Sequence, residues 1–199
     1  MKLVFATHND NKLKEVKELL SNTFEIYSLN DIGFKNEIPE NKNTIIENSK
    51  IKCKVVKDST GYDCFADDTG LEVEILDGAP GVHSKRFAGL NASSDENIDK
   101  LLGLLKNKSN RNAQFKTVIS LNIDGSIKTF EGICNGTIST KRMGKSGFGY
   151  DPIFIPIGSK RSFGQMTVQE KNIIAHRSIA VFKLVNFLTN LYQINEISI

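Results

Sequence analysis

Two adjacent carboxylates, Asp67 and Asp68, follow the strand-like segment Tyr62 to Ala66 and precede Thr69-Gly70. Like charges held side by side are costly unless something positive joins them. On extended chain successive side chains diverge, so one carboxylate can face a cleft while its neighbour supports it. Magnesium suits such a setting, because it takes a few carboxylates, keeps several waters and binds phosphate oxygens. Taken alone, the four residues read equally as an acidic surface turn closed by Gly70. Glu40 follows Pro39 in a loop, where it is a second carboxylate for metal or an ordinary surface glutamate.

Three further segments carry groups suited to phosphates and bases. Thr7-His8-Asn9-Asp10-Asn11-Lys12 joins the apolar run Leu3 to Ala6 to a helix start. Open α/β sheets place ligands at the carboxyl ends of their strands. Free amides and the helix dipole attract phosphate at the same point. Lys12 adds positive charge in the first turn, and Thr7 and Asn9 add hydrogen-bonding side chains; a plain helix cap with a solvated lysine is the alternative. In Ser146-Gly147-Phe148-Gly149-Tyr150-Asp151-Pro152, glycines flank an aromatic ring in a polar loop. Phe148 is there a hydrophobic anchor for the loop or a stacking face, worth about 1–3 kcal/mol to a nucleobase. Finally, Glu170 to Arg177 brings Lys171, His176 and Arg177 together near the start of a long helix. Arg177 offers a fork of donors and His176 one more, although the cluster also balances Glu170.

Other chemistries are excluded by spacing. Gly144-Lys145-Ser146 resembles the end of a P-loop, but the glycine required five positions earlier is Ser139. No G-x-S-x-G elbow, H-E-x-x-H or C-x-x-C occurs. Cys53, Cys64 and Cys134 sit in apolar surroundings and read as small buried hydrophobes of a reducing cytosol. Basic residues number 26 against 23 acidic ones among 199. The lysines are interspersed with carboxylates, which leaves no footprint for nucleic acid or a membrane. No window reaches the ~18 apolar residues of a spanning helix, and the amino terminus lacks a signal-peptide pattern. The expectation is a cytoplasmic protein.

The elements that must position these groups follow from patterning. Leu3 to Ala6 predicts a buried strand, and Asn9 or Asp10 caps a helix with apolar positions Leu13, Val16, Leu19 and Leu20. Phe24 to Leu29 predicts a second strand, parallel to the first. Thr44-Ile45-Ile46-Glu47 is a capping box opening a helix to about Lys57. Strands are predicted at Tyr62–Ala66 and Leu71–Leu76, with the acidic residues as a turn between them. A second box, Ser93 to Glu96, opens a helix through Leu105. Gln114 to Cys134 alternates as strand, broken by the hairpin turn Asp124-Gly125. Residues 143–152 form a loop. A third box, Thr167 to Glu170, precedes one apolar helical face through Ile174, Val181, Leu184, Val185, Leu188 and Leu191. No repeat or linker divides residues 1–199, so a single, bilobal domain is expected.

Taken in order, these segments resemble the inosine triphosphate pyrophosphatase family, almost end to end from Lys2 to about Leu191. The motifs are T-x-N-x-x-K (Thr7, Asn9, Lys12), A-D-D-T-G-L-x-V (Ala66 to Val73), A-P-G-V-x-S-x-R (Ala79 to Arg86), S-G-F-G-Y-D-P (Ser146 to Pro152) and E-K-N-x-x-x-H-R (Glu170 to Arg177). The resemblance implies an α/β fold with an elongated mixed central sheet flanked by helices, two lobes and an active-site cleft between them. It implies hydrolysis of ITP, dITP and XTP to the monophosphate and pyrophosphate, in a homodimer. Thr7, His8, Asn9, Asp10, Asn11 and Lys12 would then hold the triphosphate. Glu40 and Asp68 would coordinate Mg²⁺, with Asp68 as general base and Asp67 supporting it. Thr69 would touch the substrate, and Phe148, Gly149, Tyr150 and Asp151 would border the purine. Lys171, His176 and Arg177 would complete the site. Glu47, Asn48 and Lys52 match a further segment, I-E-N-x-x-x-K, that supports the metal and phosphate region. His83, Met166 and Ala175 depart from the family's usual aromatic, leucine and serine. Two other readings share these residues: a pyrophosphatase with another base preference, and a nucleotide-binding module without catalysis.

Overall fold

A computed structural model of the chain describes residues 2–20 and 24–197, with side chains described as far as Leu191. Among the described residues the strands are β1 (Lys2–Phe5), β2 (Glu25–Ser28), β3 (Cys64–Val73), β4 (Pro80–Gly81), β5 (Asn112–Ile123), β6 (Ser126–Ile138) and β7 (Phe154–Pro156). The α-helices among them are α1 (Asp10–Leu20), α2 (Ile45–Thr60), α3 (Ser94–Leu104), α4 (Val168–Ile174) and α5 (His176–Ile197). The sheet order is β2-β1-β3-β5-β6-β7, with β4 paired to β3. β1 lies parallel to both β2 and β3, whereas β4 and β7 run antiparallel to their partners. The fold is the mixed α/β sheet expected. Parallel pairing comes first because a helix separates β1 from β2, and a short connection cannot return the chain in the same direction.

The chain divides into two compact units. The first comprises Met1–Asp68, Thr117–Gly132 and Arg177–Ile199. Its central strand β1 is apolar from Leu3 to Phe5, where both faces are covered. Leu3 and Phe5 pack with Val16 and Leu20 of α1 and Val181, Leu184 and Leu188 of α5. Val4 and Ala6 turn to Cys53 and Val56 of α2. Strands buried on both faces lose polar alternation for this reason. The Phe5 and Phe65 rings stack 4.6 Å apart across neighbouring strands.

The second unit comprises Thr69–Lys116 and Ile133–His176. Its core gathers Leu71 and Val73 of β3, Ile98 and Leu101 of α3, and the aromatic group Phe115, Phe154 and Phe163. Ser93 opens α3 with a full capping box to Glu96, as its spacing predicted. Arg111, which no motif singled out, spends its guanidinium on the carbonyls of Leu105, Ile138 and Ser139. It thereby ties the end of α3 to the end of β6.

Two expectations are corrected. The acidic segment is not a turn between strands: β3 runs unbroken through Asp67, Asp68, Thr69 and Gly70, and only Glu74–Leu76 leaves it as a 3-10 turn. Extended chain can keep both carboxylates buried here because lysine and arginine side chains compensate them. The apolar helical face after Thr167 is divided as well. Ala175 is extended, with φ −73° and ψ 147°, so α4 ends before it and α5 begins at His176. The hairpin at Asp124-Gly125 forms as predicted, both residues taking positive φ. All three cysteines are buried thiols.

Candidate active site

In the first unit, the Thr7 to Lys12 segment begins as a helix cap. Thr7 Oγ1 accepts from the Asn9 amide at 3.2 Å, and Asn9 Oδ1 accepts from the Lys12 amide at 3.1 Å. Of the two expected caps, Asn9 is therefore the one used. This start projects Lys12 Nζ to 3.0 Å from Asp67 Oδ1. The other oxygen, Asp67 Oδ2, receives Arg177 Nε at 3.1 Å. Arg177 Nη1 also donates to Glu15. Asp10 and Asn11 lie exposed in the first turn of α1. His8 Nε2 is 3.1 Å from the Asn36 carbonyl oxygen.

Asp68, next along β3, meets a different cation. Lys52 Nζ donates to Glu40 Oε1 at 2.6 Å, to the Asp67 carbonyl at 2.9 Å and to Asp68 Oδ1 at 3.0 Å. The divergence of neighbouring strand side chains thus separates the two aspartates, Asp67 toward Lys12 and Arg177, Asp68 toward Lys52 and Glu40. Lys52 is held by α2, whose start is capped by Thr44 accepting from the Glu47 amide. The Glu47 carboxylate accepts from the Thr44 hydroxyl at 2.7 Å, so its contact here is with the cap. Asn48, one turn before Lys52, exchanges two hydrogen bonds with the Lys42 backbone and pins the loop that carries Glu40. On the adjoining turn, Ser49 Oγ and Ser120 Oγ pair at 2.7 Å and seat α2 on β5.

The electrostatics follow burial and pairing. Burial alone would raise the Asp67 carboxyl, but Lys12, Arg177 and Lys52 hold it well below the usual carboxylate range. Asp68 shifts the other way: burial outweighs the pull of Lys52 and Lys12 and raises it. Lys52 is raised because Asp68, Glu40 and Asp67 outweigh its desolvation. Burial lowers Lys12 despite Asp67. Asp67 is therefore a fixed anion among cations, and Asp68 is the more proton-responsive of the pair.

Hard oxygen donors converge here on one cationic position, which fits Mg²⁺. Among the described residues, no group of three or more His, Cys, Asp or Glu side chains is placed to hold a metal. An ion bound by one or two carboxylates and completed by substrate phosphates is the usual magnesium arrangement.

In the second unit, the loop 143–152 is fixed by backbone hydrogen bonds across itself and to the neighbouring segment at Gly164. The Met143 amide donates to the Pro152 carbonyl at 2.7 Å and the Ser146 amide to the Gly164 carbonyl at 2.9 Å. Buried Asp151 is its anchor: Oδ2 accepts from the Phe148 amide at 2.9 Å and from Lys171 Nζ at 2.7 Å. The Lys171 ammonium also lies 5.0 Å from the Phe148 ring centroid and 5.5 Å from that of Phe163, within cation–π range. Tyr150 is buried and donates its hydroxyl to the Ser84 carbonyl at 2.9 Å. Gly149 takes positive φ between the two aromatic residues. His176 stacks on Phe115 at 4.5 Å, and Thr69 lies half-buried on β3.

Gly147 adopts φ +76°, and a Cβ there would lie 2.0 Å from Asp151 Oδ2. Gly147→Ala should expel Asp151 from both bonds. The expected loss, read from urea unfolding, is at least the ~1.5–3 kcal/mol of one hydrogen bond to a charged group. An unchanged midpoint would show that the anchor is dispensable.

The residues expected from sequence thus fall into two groups. Thr7 to Lys12, Glu40, Lys52, Asp67, Asp68 and Arg177 belong to the first unit, and Thr69, Phe148 to Asp151, Lys171 and His176 to the second. Glu15 was missed. Its signal was its place three residues after Lys12, a spacing that puts both on one face of α1, but a surface glutamate looks the same until Arg177 is seen beside it.

The family model described as Ham1 matches residues 3–187. A dITP/XTP pyrophosphatase of Christiangramia forsetii is 51% identical over 189 residues, covering 95% of this chain and 100% of that protein. A dITP/XTP pyrophosphatase of Flavobacterium psychrophilum is 50% identical over 190 residues, covering 96% and 100%. Among solved structures, a HAM1 protein from Coxiella burnetii superposes with a TM-score of 0.89 at 36% identity, covering 96% of this chain and 99% of that one. With the match running through both groups of site residues and nearly the full length, the chain belongs to the Ham1 family.

Proposed function

We propose that this chain hydrolyses deaminated purine nucleoside triphosphates (ITP, dITP and XTP) to the monophosphate and pyrophosphate, with Mg²⁺ as cofactor. The observation that carries the reading is the convergence of Glu40 and Asp68 on one cationic position, in the same unit as a helix start bearing Lys12. The names of relatives about half identical to this chain support it. The proposed working form is a cytoplasmic homodimer in which residues 1–199 act as a single domain. No helix among the described residues is long and apolar enough to cross a membrane.

In this reading Glu40 and Asp68 hold Mg²⁺, which supplies charge neutralisation and polarisation of the phosphate. Asp68 orients a water and takes its proton as the water oxygen bonds to phosphorus and the α–β anhydride breaks. Lys12 and the amides of the α1 start stabilise charge on the departing pyrophosphate. Asp67 keeps Lys12 in place and Arg177 keeps Asp67. Phe148 stacks on the purine, with Asp151 and Lys171 holding its backbone and ring. His176 and Thr69 complete the substrate contacts. Activity is expected to rise with pH into the alkaline range.

Selection against adenine follows if the base site donates hydrogen bonds to a 6-oxo group, because a 6-amino group leaves those donors unpaired. The test is one substrate panel with Mg²⁺: ITP, dITP, XTP, ATP, GTP, dUTP and dTTP, with pyrophosphate and orthophosphate measured separately. Pyrophosphate from the first three, well above ATP, is the expected result. Orthophosphate as the sole direct product defeats the bond assignment. Preference for dUTP or dTTP assigns a different base class, and no turnover favours a binding module.

A further inference from the structure

The Lys52 ammonium has three N–H donors, and all three are spent, on Glu40 Oε1, the Asp67 carbonyl and Asp68 Oδ1. It is nearly enclosed, with 5% of its side chain exposed against 38% for Glu40 and 11% for Asp68. A lysine whose every donor meets an oxygen in a buried setting is not a solvated counter-ion. Two of those oxygens belong to the carboxylates assigned above to Mg²⁺, an ion that binds carboxylate oxygen at about 2.0–2.1 Å. An ammonium 2.6 and 3.0 Å from the same atoms and a divalent ion bound to them would be two positive charges within a few ångströms of each other. Their repulsion is strong where the dielectric is low. Both cations satisfy the same need, which is to hold two like charges together.

We infer that Lys52 competes with Mg²⁺ for Glu40 and Asp68: its ammonium holds the two carboxylates until substrate phosphates draw it away and the divalent ion takes its place. The inference rests on the proposed metal ligands. It makes Lys52 a positioning residue that couples the arrival of metal to the arrival of nucleotide. The free protein then binds Mg²⁺ poorly, although it carries the right oxygens, and the ion binds well only when phosphate oxygens accept the displaced lysine. Ordered entry follows, because a triphosphate supplies both the new partner for Lys52 and the remaining ligands for the ion.

The test is direct binding of Mg²⁺, titrated calorimetrically into chelator-stripped protein without nucleotide. Lys52→Met is expected to bind Mg²⁺ at least tenfold more tightly than the wild type, and Lys52→Arg, which keeps the charge, about as weakly as the wild type. Adding Glu40→Gln to Lys52→Met should remove the gain. A Lys52→Met protein that binds Mg²⁺ no more tightly than the wild type overturns the inference. If Glu40→Gln leaves Mg²⁺ binding unchanged in both backgrounds, the metal-ligand assignment falls and the inference with it, a result separable from failure of the competition alone. Lys52→Gln replaces Lys52→Met if the latter does not fold. Melting provides a second readout independent of turnover: Mg²⁺ should raise the melting temperature of the neutral variant more than that of the wild type, and an equal rise counts against competition.

Discussion

Asp68→Asn is expected to lower kcat/KM for dITP by about 10²–10⁴-fold, the range for loss of a positioned general base. Asparagine keeps the shape of the side chain and can still accept from Lys52, whose Nζ lies 3.0 Å from Asp68 Oδ1. It cannot take a proton from water, and it removes one of the two carboxylates proposed to hold Mg²⁺. The fold should survive, because Glu40 and the Asp67 carbonyl still hold Lys52. The check is steady-state kinetics with pyrophosphate release as readout, beside far-UV circular dichroism. Full turnover by the folded variant would remove Asp68 from the chemistry. Loss of KM alone, with kcat intact, would make it a binding residue.

Asp67→Asn should instead act on stability. Its side chain is fully enclosed and joins Lys12 to Arg177, so neutralising it leaves two buried cations short of an anion. Removing one partner of a buried ion pair costs about 3–5 kcal/mol, and at roughly 2–4 °C per kcal/mol for a chain this size the melting temperature should drop by about 6–20 °C. Glu15 still pairs with Arg177, which favours the lower half of the range. The pH dependence has a definite sign. The folded Asp67 carboxyl lies below its ordinary value of 3.8, so its contribution is present above about pH 4 and is lost as pH falls through the folded value. The difference between wild type and variant, measured by urea unfolding, should therefore be widest near neutrality and narrow in acid. A constant difference across that span would mean that Asp67 acts by packing rather than by charge.

How far these groups could be read in advance depended on whether the physics was local. The caps at Asn9, Thr44, Ser93 and Thr167 were legible because each rests on a side chain and an amide three residues apart. The hairpin at Asp124-Gly125 was legible because two positive φ angles call for those residues. The acidic segment was misread as a turn for the complementary reason. Within its own neighbourhood Asp67-Asp68 looks like a surface feature, and only Lys12, Lys52 and Arg177 make a buried strand tolerable there. The break at Ala175 was missed because an apolar face continues through it, so periodicity runs on where the backbone does not.

From sequence alone came the elements, the mixed sheet, the resemblance to a family now matched over residues 3–187 and the roster of residues fit for phosphate, metal and base. What only the tertiary structure decided is the pairing among them. Asp67 meets Lys12 across 55 positions and Arg177 across 110, while Asp68 meets Lys52 across 16. Charge pairing over such separations depends on which side of β3 each carboxylate leaves and on which helix presents a cation there. No residue spacing encodes that choice, because it is made by packing: α1 and α5 cover one face of β1 and α2 the other, and the two aspartates are sorted accordingly, one to Lys12 and Arg177 and the other to Lys52.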